Sequence, residues 1–300
     1  MSTGALPTLS LLVADPGADY ALLDSGNGRK LERCGPFRFI RPEAQAMWNP
    51  ASPDWSADGE FVGGSDEDGG GRWHLASHVP SEWEIGQAGV RLLAMCTPFR
   101  HLGFFPDMAP HWQRLAAALS RPRVDGKTPQ FLNLFGYSGV ATLVAARAGA
   151  QAVHVDASRK AVELARRNAA LSCLSDAPIR WLVEDARSFV AREVRRGRCY
   201  DAILLDPPKY GRGPKGEIWH LERDLAPLLA DCARLLRPES RLLILTTYAI
   251  RLSALALHRL VQEQLAGLGG EVNSGEMVQR EEAAGRFVPT ALFSRWEASV

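Results

Sequence analysis

Cysteine is scarce and scattered in this chain of 300 residues: Cys34, Cys96, Cys173, Cys199 and Cys232 form no C-x-x-C pair. Their odd number and wide spacing exclude a disulfide framework and a thiolate zinc site. The seven histidines are as dispersed, and the one close pair, His74 and His78, lies outside any H-E-x-x-H motif, so no metal is expected. An excess of charge is missing too. The 35 basic and 34 acidic side chains leave a net +1, which excludes a protein that coats nucleic acid by bulk charge and an acidic solvating tail. No apolar run reaches the ~18–20 residues of a membrane helix, and the opening MSTGALPTLS lacks the charged segment of a secretory signal. What remains is an ordinary globular composition, 46% hydrophobic and 23% charged, expected in the cytoplasm and long enough for two domains of ~100–200 residues.

The first hundred residues carry turn signals every few positions. Asp24-Ser-Gly-Asn-Gly-Arg29 separates YALL from KLERC, Cys34-Gly-Pro36 precedes FRFIRP, and Gly86-Gln-Ala88 separates EWEI from GVRLLAM. Short extended-favouring runs bounded by Gly, Asn and Pro are hairpin chemistry. The acidic, glycine-rich residues 58–72 are expected to form a mobile loop. Residues 1–98 therefore read as a small β-rich domain that is a candidate for binding substrate, with Trp48, Trp55, Trp73 and Trp83 read as core ahead of the alternative of a second stacking surface.

From about Thr128 the rhythm changes. QFLNLF, AVHVD, IRWLVED, YDAILLD and RLLILTTYA are short apolar runs. Between them GVATLVAARAGA, RKAVELARRNAALS, ARSFVAREVRR and HLERDLAPLLADCARLL place apolar residues at helical spacing. SALALHRLVQEQLAGL and two further strands, near EVNSGEMVQ and TALFSRWEA, close the chain. Strands this apolar must be buried on both faces, so residues 99–300 are expected to form an α/β domain around a parallel, doubly wound, Rossmann-like sheet. Charge divides unevenly: residues 1–128 hold 12 basic and 15 acidic side chains, the remainder 23 and 19. Arg192, Arg195, Arg196 and Arg198 form one basic cluster, and Lys209, Arg212 and Lys215 another; the ordinary reading of each is a solvated face.

In an open α/β sheet a ligand sits beyond the carboxyl ends of the strands, where strand order reverses. Four strand ends carry candidate groups. Asn133-Leu-Phe135-Gly136-Tyr137-Ser138-Gly139 follows the first strand, and its two glycines let the backbone turn tightly and approach a ligand. The third glycine of G-x-G-x-x-G is missing, which disfavours NAD. The second strand ends at Asp156-Ala157-Ser158, where a carboxylate can accept from both hydroxyls of a ribose. The third ends at Glu184-Asp185-Ala186, whose polar groups would reach an adenine edge, and the fourth at Asp206-Pro207-Pro208-Lys209-Tyr210. Each acid alone has a bland alternative as a helix N-cap or first-turn residue. All four in register on one crevice argue for a binding site.

Residues 131–210 resemble the class I S-adenosylmethionine-dependent methyltransferases, with NLFGYSG as the first cofactor loop and DPPKY as the catalytic motif. More narrowly, they are similar to the bacterial large-subunit ribosomal RNA methyltransferases of the RlmI and RlmK/L type, which carry N-x-F-x-Y-[ST]-G and DPP-[KT]-[FY] in this order and spacing. Arg100-His-Leu-Gly-Phe-Phe105-Pro-Asp107 resembles their G-x-F-x-[DE]-Q segment, which covers the cofactor from the domain junction. The resemblance spans about residues 98–300 and implies a seven-stranded methyltransferase sheet with S-adenosylmethionine as cofactor. It implies cofactor contacts at Phe105, Phe135, Gly136, Tyr137, Ser138, Gly139, Asp156, Ala157, Ser158, Glu184, Asp185 and Ala186, with transfer at Asp206, Pro207 and Tyr210. The chain also departs from the pattern. Met108 stands where the family has a cofactor-contacting glutamine, and the first domain shows no match to the RNA-binding module of the RlmI type. Leu245-Thr-Thr-Tyr248 lacks the cysteine that members methylating cytosine carbon 5 place there as nucleophile.

A nitrogen acceptor needs no covalent nucleophile, only alignment with the sulfonium methyl and electrostatics that favour the transition state. Asp206 and the Pro207 carbonyl would accept from the target N–H groups, on a backbone fixed by the prolines. Tyr210 would stack on an extruded base. The chain thus reads as a methyltransferase acting on a nucleobase nitrogen in RNA, ribosomal RNA foremost. A methyltransferase of proteins or small molecules, and a silent module binding the cofactor or RNA, stand as alternatives. Neither the target base nor the oligomeric state is legible.

Overall fold

The computed structural model describes residues 7–15, 17–63, 71–123, 125–248 and 252–299. It opens with β1 (Leu9–Ala14), followed by β2 (Tyr20–Gly26), β3 (Arg29–Cys34), β4 (Phe37–Pro42), β5 (Gly59–Val62) and β6 (Arg72–Leu75). Strands β2 to β6 form a five-stranded sheet in chain order. Its first turn falls on Asn27 (φ 53°) and Gly28 (φ 72°), the left-handed pair that a primed hairpin turn requires. The ends of the expected 58–72 loop are the paired strands β5 and β6, and its centre lies outside the described residues. β7 (Trp83–Gln87) and β8 (Val90–Ala94) make a separate hairpin. Its turn lies at Ala88 (φ 48°) and Gly89 (φ 80°), slightly beyond the expected position. Gly86 and Gln87 stay extended because the Gly86 N–H donates to Asp19 Oδ2 at 2.6 Å and Gln87 pairs with Val90.

After helix α1 (Ala109–Leu119), strands and helices alternate. The order is β9 (Gln130–Leu134), α2 (Val140–Arg147), β10 (Gln151–Asp156), α3 (Arg159–Leu171), β11 (Ile179–Val183), α4 (Ala186–Arg195) and β12 (Ala202–Leu205). A small hairpin, β13 (Tyr210–Arg212) with β14 (Ile218–His220), precedes α5 (Leu221–Arg234) and β15 (Leu242–Thr247). Helix α6 (Ala254–Leu265) and strands β16 (Glu271–Arg280) and β17 (Phe287–Glu297) complete the chain.

The main sheet runs β11-β10-β9-β12-β15-β17-β16-β1. Its seven strands from β9 onward form the expected methyltransferase-type sheet, with two departures from the sequence reading. β17 is antiparallel to both neighbours, because residues 281–286 between β16 and β17 are too few for a crossover connection. β1, which lies inside the segment read as the β-rich domain, is the eighth strand, parallel to β16 from Leu9↔Ser274 to Ala14↔Gln279.

β12 and β15 are buried along their whole length. Helices therefore cover both faces, and each turns an apolar stripe inward: α3 buries Ala161, Val162, Leu164, Ala165 and Ala169 while its outer face carries Arg159, Lys160, Arg166 and Arg167. One apolar cluster, with Leu132, Phe189, Leu225 and Leu257, fills the α4–α5–α6 side. The other joins Phe131, Leu143, Trp112 and Leu115 to Tyr20, Phe39, Trp83 and Leu92, so the N-terminal sheet shares its core with the main sheet. Trp83 stacks on Phe39 (ring centroids 5.4 Å, 20°), and Trp73 packs edge-on to both Phe39 and Phe61. The indoles of Trp48 and Trp55 donate to the Ser25 carbonyl and to Asp24. All four tryptophans thus serve packing and hydrogen bonding. Among the described residues no helix is long and apolar enough to cross a membrane.

Candidate active site

Strand order reverses between β9 and β12, so a crevice opens at their carboxyl ends, where Phe135 and Asp206 follow. The glycine loop after β9 is held in an unusual backbone. Phe135 (φ 57°) and Tyr137 (φ 42°) are both left-handed without being glycine, on either side of Gly136. Such residues persist only where their surroundings fix them, and they cluster at functional sites. Here Gly136 N–H donates to the Val155 carbonyl (3.1 Å) and Tyr137 N–H to Asp156 Oδ2 (2.9 Å). The glycines serve packing as well as approach: a Cβ on Gly136 would lie 2.5 Å from His154 Cε1, and one on Gly139 (φ 82°) 2.8 Å from Ala165 Cβ. Asn168 of α3, fully buried, ties the loop down. Its amide donates to the Ser138 carbonyl (2.9 Å) and accepts from Leu93 N–H of β8 (2.9 Å).

The acidic strand ends divide in behaviour. Asp156 accepts from Tyr137 N–H and, through Oδ1, from Ser158 N–H at 2.8 Å, yet each carboxylate oxygen retains a lone pair. Burial pushes its carboxyl up despite these bonds. Ser158 caps α3, accepting from Ala161 N–H; Ala157 stands between it and Asp156. Glu184 is engaged by the Arg192 guanidinium, 2.7 Å between Oε2 and Nη2, and Asp185 caps α4 by accepting from Ser188 N–H at 2.9 Å. The side chain of Asp185 therefore fills the helix-cap role, with Ala186 buried as the first residue of α4.

Asp206 follows β12 at this edge of the sheet, where Thr246 Oγ1 donates to its Oδ1 at 2.5 Å. Burial, reinforced by the nearby Asp107, raises its carboxyl to about 7 against the pull of Thr246. Asp107 comes from the 310 turn Pro106–Met108 at the junction with the N-terminal sheet, and burial raises its carboxyl as well. Tyr248, after β15, has its phenol pushed far up by burial and by these two acids. Asp107 and the Tyr248 phenol interact with each other and with Asp206, which gathers three polar groups at the fourth strand end.

Aromatic rings surround this group. Phe105 lies 5.4 Å from Tyr248, 6.0 Å from Tyr137 and 5.2 Å from His101, ring centre to ring centre. His101 meets Tyr137 edge-on at 5.3 Å, and burial lowers its imidazole to about 4. Beyond Asp206, Pro207 is buried and the Pro208 carbonyl accepts from the Trp219 indole (2.7 Å). Trp219 also packs on Phe135 (5.0 Å), so β14 couples this loop to the glycine loop. Tyr210 begins β13, 47% exposed and edge-on to His220.

Asp107, Thr246, Tyr248, Asn168, His101 and Trp219 were given no role by the motifs. Asp107 alone carried a signal, its place in the G-x-F-x-[DE] segment. Met108, where that segment has glutamine in other chains, is buried in the shared core. Cys96 is half-buried beside Arg41, and burial holds its thiol up at about 12; Cys34 and Cys232 are buried in the cores. Among the described residues no group of His, Cys, Asp and Glu could hold a metal ion.

The donor set suits S-adenosylmethionine. Asp156 offers acceptors for vicinal hydroxyls, while the faces of Phe105, Tyr137 and Tyr248 suit a sulfonium cation. Comparison with known proteins agrees. Residues 116–221 match the family described as Conserved hypothetical protein 95. The chain is similar to the ribosomal RNA large subunit methyltransferase K/L of Stutzerimonas stutzeri (34% identity over 148 residues, 49% of this chain and 19% of that protein) and of Pseudomonas paraeruginosa (33% over 155 residues, with the same shares). It thus spans about a fifth of the length of those relatives. A Streptococcus mutans protein described as a SAM-dependent methyltransferase shares the fold (14% identity, TM-score 0.65, 94% of this chain and 76% of that one). The crystal structure of the SAM-dependent methyltransferase from Agrobacterium tumefaciens matches end to end, with 46% identity, a TM-score of 0.91, and coverage of 100% of this chain and 97% of that one. Identity at that level along both whole chains places the chain in the SAM-dependent methyltransferases.

Proposed function

We propose that the protein transfers the methyl group of S-adenosylmethionine to a nucleobase nitrogen in RNA, ribosomal RNA foremost, in the cytoplasm. The observation that carries the reading is Asp206: a carboxyl raised to about 7, hydrogen-bonded to Thr246, in a proline-stiffened loop between the cofactor crevice and an exposed tyrosine. The cofactor supplies an electrophilic methyl. The protein's part is to hold and align the acceptor. Asp156 takes the ribose hydroxyls, with Ala157 and Ser158 shaping that turn, and Phe135, Gly136, Tyr137, Ser138 and Gly139 form the wall beneath the methionine part. Phe105 covers the sulfonium. Glu184, Asp185 and Ala186 form the adenine side through the backbone, since both carboxylates already have partners.

Asp206 and the Pro207 carbonyl accept from the N–H groups of the target amine, turning its lone pair toward the methyl. As the N–C bond forms and the S–C bond breaks, the surplus proton on nitrogen passes to Asp206, whose affinity near neutrality suits both receiving and releasing it. Tyr210 stacks on the extruded base, and Arg212 and Lys215 on the same hairpin meet phosphate. The absence of a thiol at the strand ends supports nitrogen over carbon 5 as acceptor. Supplying labelled S-adenosylmethionine and rRNA from a strain lacking the protein tests the assignment. Asp206→Ala should abolish transfer while cofactor binding by calorimetry persists, and wild-type turnover in that variant would defeat it.

A further inference from the structure

The loop of residues 97–105 sets His101 and Phe105 against Tyr137 and Tyr248, and the N-terminal sheet grips it at two points. Within the loop, Arg100 N–H donates to the Thr97 carbonyl (3.1 Å), and Arg100 takes a left-handed backbone (φ 59°) without being glycine. The Trp73 indole of β6 donates to the Thr97 carbonyl at 2.7 Å. Arg41 Nη1 of β4 donates to the Arg100 carbonyl at 2.9 Å. The next residue, His101, carries the ring that meets Tyr137 of the glycine loop, and Phe105 follows four residues later.

Arg41 is itself fixed. Its Nε and Nη2 form a fork on the fully buried Glu32, at 2.5 and 2.7 Å. Glu32 also accepts from the Tyr20 hydroxyl and lies 3.5 Å from Lys30 Nζ, which reaches Glu43 at 3.2 Å. A planar guanidinium can satisfy a carboxylate with one edge and a backbone carbonyl with its remaining nitrogen; an ammonium cannot hold both in fixed geometry.

We propose that Arg41, assisted by Trp73, is a positioning residue for cofactor capture: the N-terminal sheet acts as a clamp that sets the 97–105 loop, and with it His101 and Phe105, over the cofactor crevice. The inference rests on the cofactor site assigned above. Left-handed Arg100 costs free energy that a free loop would shed, so the clamp keeps the loop in its binding-competent shape before the cofactor arrives, and preorganisation of this kind appears as affinity.

The test measures S-adenosylmethionine binding to the full-length protein by calorimetry, with thermal midpoints alongside. Arg41→Lys keeps a cation against Glu32 but loses the Arg100 contact; Trp73→Phe keeps the ring but loses the Thr97 contact. Each should weaken cofactor binding roughly tenfold, about 1.4 kcal/mol, and each should shift the His101 imidazole resonances in NMR spectra. Tyr20→Phe keeps the ring that packs edge-on to Phe104 of the loop (5.9 Å) and removes only the hydroxyl on Glu32, so it should lower the thermal midpoint while leaving cofactor affinity and His101 in place. Wild-type affinity in both Arg41→Lys and Trp73→Phe would overturn the clamp. So would an equal loss in Tyr20→Phe at matched stability, which would make the effect general destabilisation. Asp156→Ala separates the two levels: undiminished binding there would refute the site assignment itself, whereas lost binding with an innocuous Arg41→Lys would refute only the clamp.

Discussion

Asp206→Asn separates what the buried carboxyl costs from what it does. In the native state this group titrates at about 7, because burial strips it of water and Asp107 adds like charge; unfolded, it titrates near ~3.9. Between those two values the native protein holds a proton that the unfolded chain has already lost. Stability therefore falls as pH rises from about 4 to about 7, and this contribution is level on either side. At about 1.36 kcal/mol per pH unit, the whole difference is about 4 kcal/mol. Asparagine is neutral throughout and still offers Thr246 an acceptor. The variant should match wild type near about pH 4 and exceed it by up to about 4 kcal/mol at about pH 8. Asp107, relieved of a negative neighbour, changes the result in the same direction. Urea unfolding of both proteins across this pH range measures the effect without any substrate, and methyl transfer by the variant should be absent at every pH. A stability difference that does not vary with pH would refute the raised carboxyl. A variant less stable than wild type at about pH 8 would mean that the carboxylate is the favoured native form.

Asn168→Ala leaves the Ser138 carbonyl and the Leu93 N–H without partners in a buried place; at ~1–3 kcal/mol for each stranded group, a loss of ~2–6 kcal/mol should appear in urea unfolding, together with weaker cofactor binding. Tyr210→Ala should raise the KM for RNA about 5- to 150-fold, the equivalent of ~1–3 kcal/mol of stacking, whereas Tyr210→Phe keeps the ring and should leave KM near wild type. Replacing all five cysteines by alanine should spare methyl transfer in protein that folds; alanine is the better choice than serine because Cys34 and Cys232 sit in apolar cores. A folded but inactive variant would reopen the carbon-5 route.

The parts of the site that were legible in the sequence are those fixed by local chain geometry. A glycine pair after an apolar strand, and acids at the ends of others, stay at the carboxyl edge however the helices pack. What a side chain does there was less legible, because it depends on partners distant in sequence. Asp185 and Glu184 looked alike, yet one caps a helix and the other pairs with Arg192. Asn168 sits within an ordinary amphipathic pattern, and only the proximity of β8 and the glycine loop makes its amide useful. β1 looked like part of the first domain because an edge strand carries no mark of the sheet it will join; its partner β16 lies about 260 residues onward.

That same strand explains why the N-terminal sheet can influence the crevice at all. Were residues 1–98 a separate unit with its own core, a clamp on the 97–105 loop would swing with a linker and hold nothing still. Instead β1 is hydrogen-bonded into the main sheet, the Tyr20 hydroxyl reaches Gln279 of β16 (3.2 Å) as well as Glu32, and Tyr20, Phe39 and Trp83 share one apolar cluster with Trp112 and Phe131. Moving the clamp relative to the crevice would require opening that core and exposing Glu32, a charge whose desolvation is offset only while Arg41 and Lys30 remain beside it. The rigidity that makes Arg41 a useful ruler for the loop thus follows from the folding of the first strand into the last sheet.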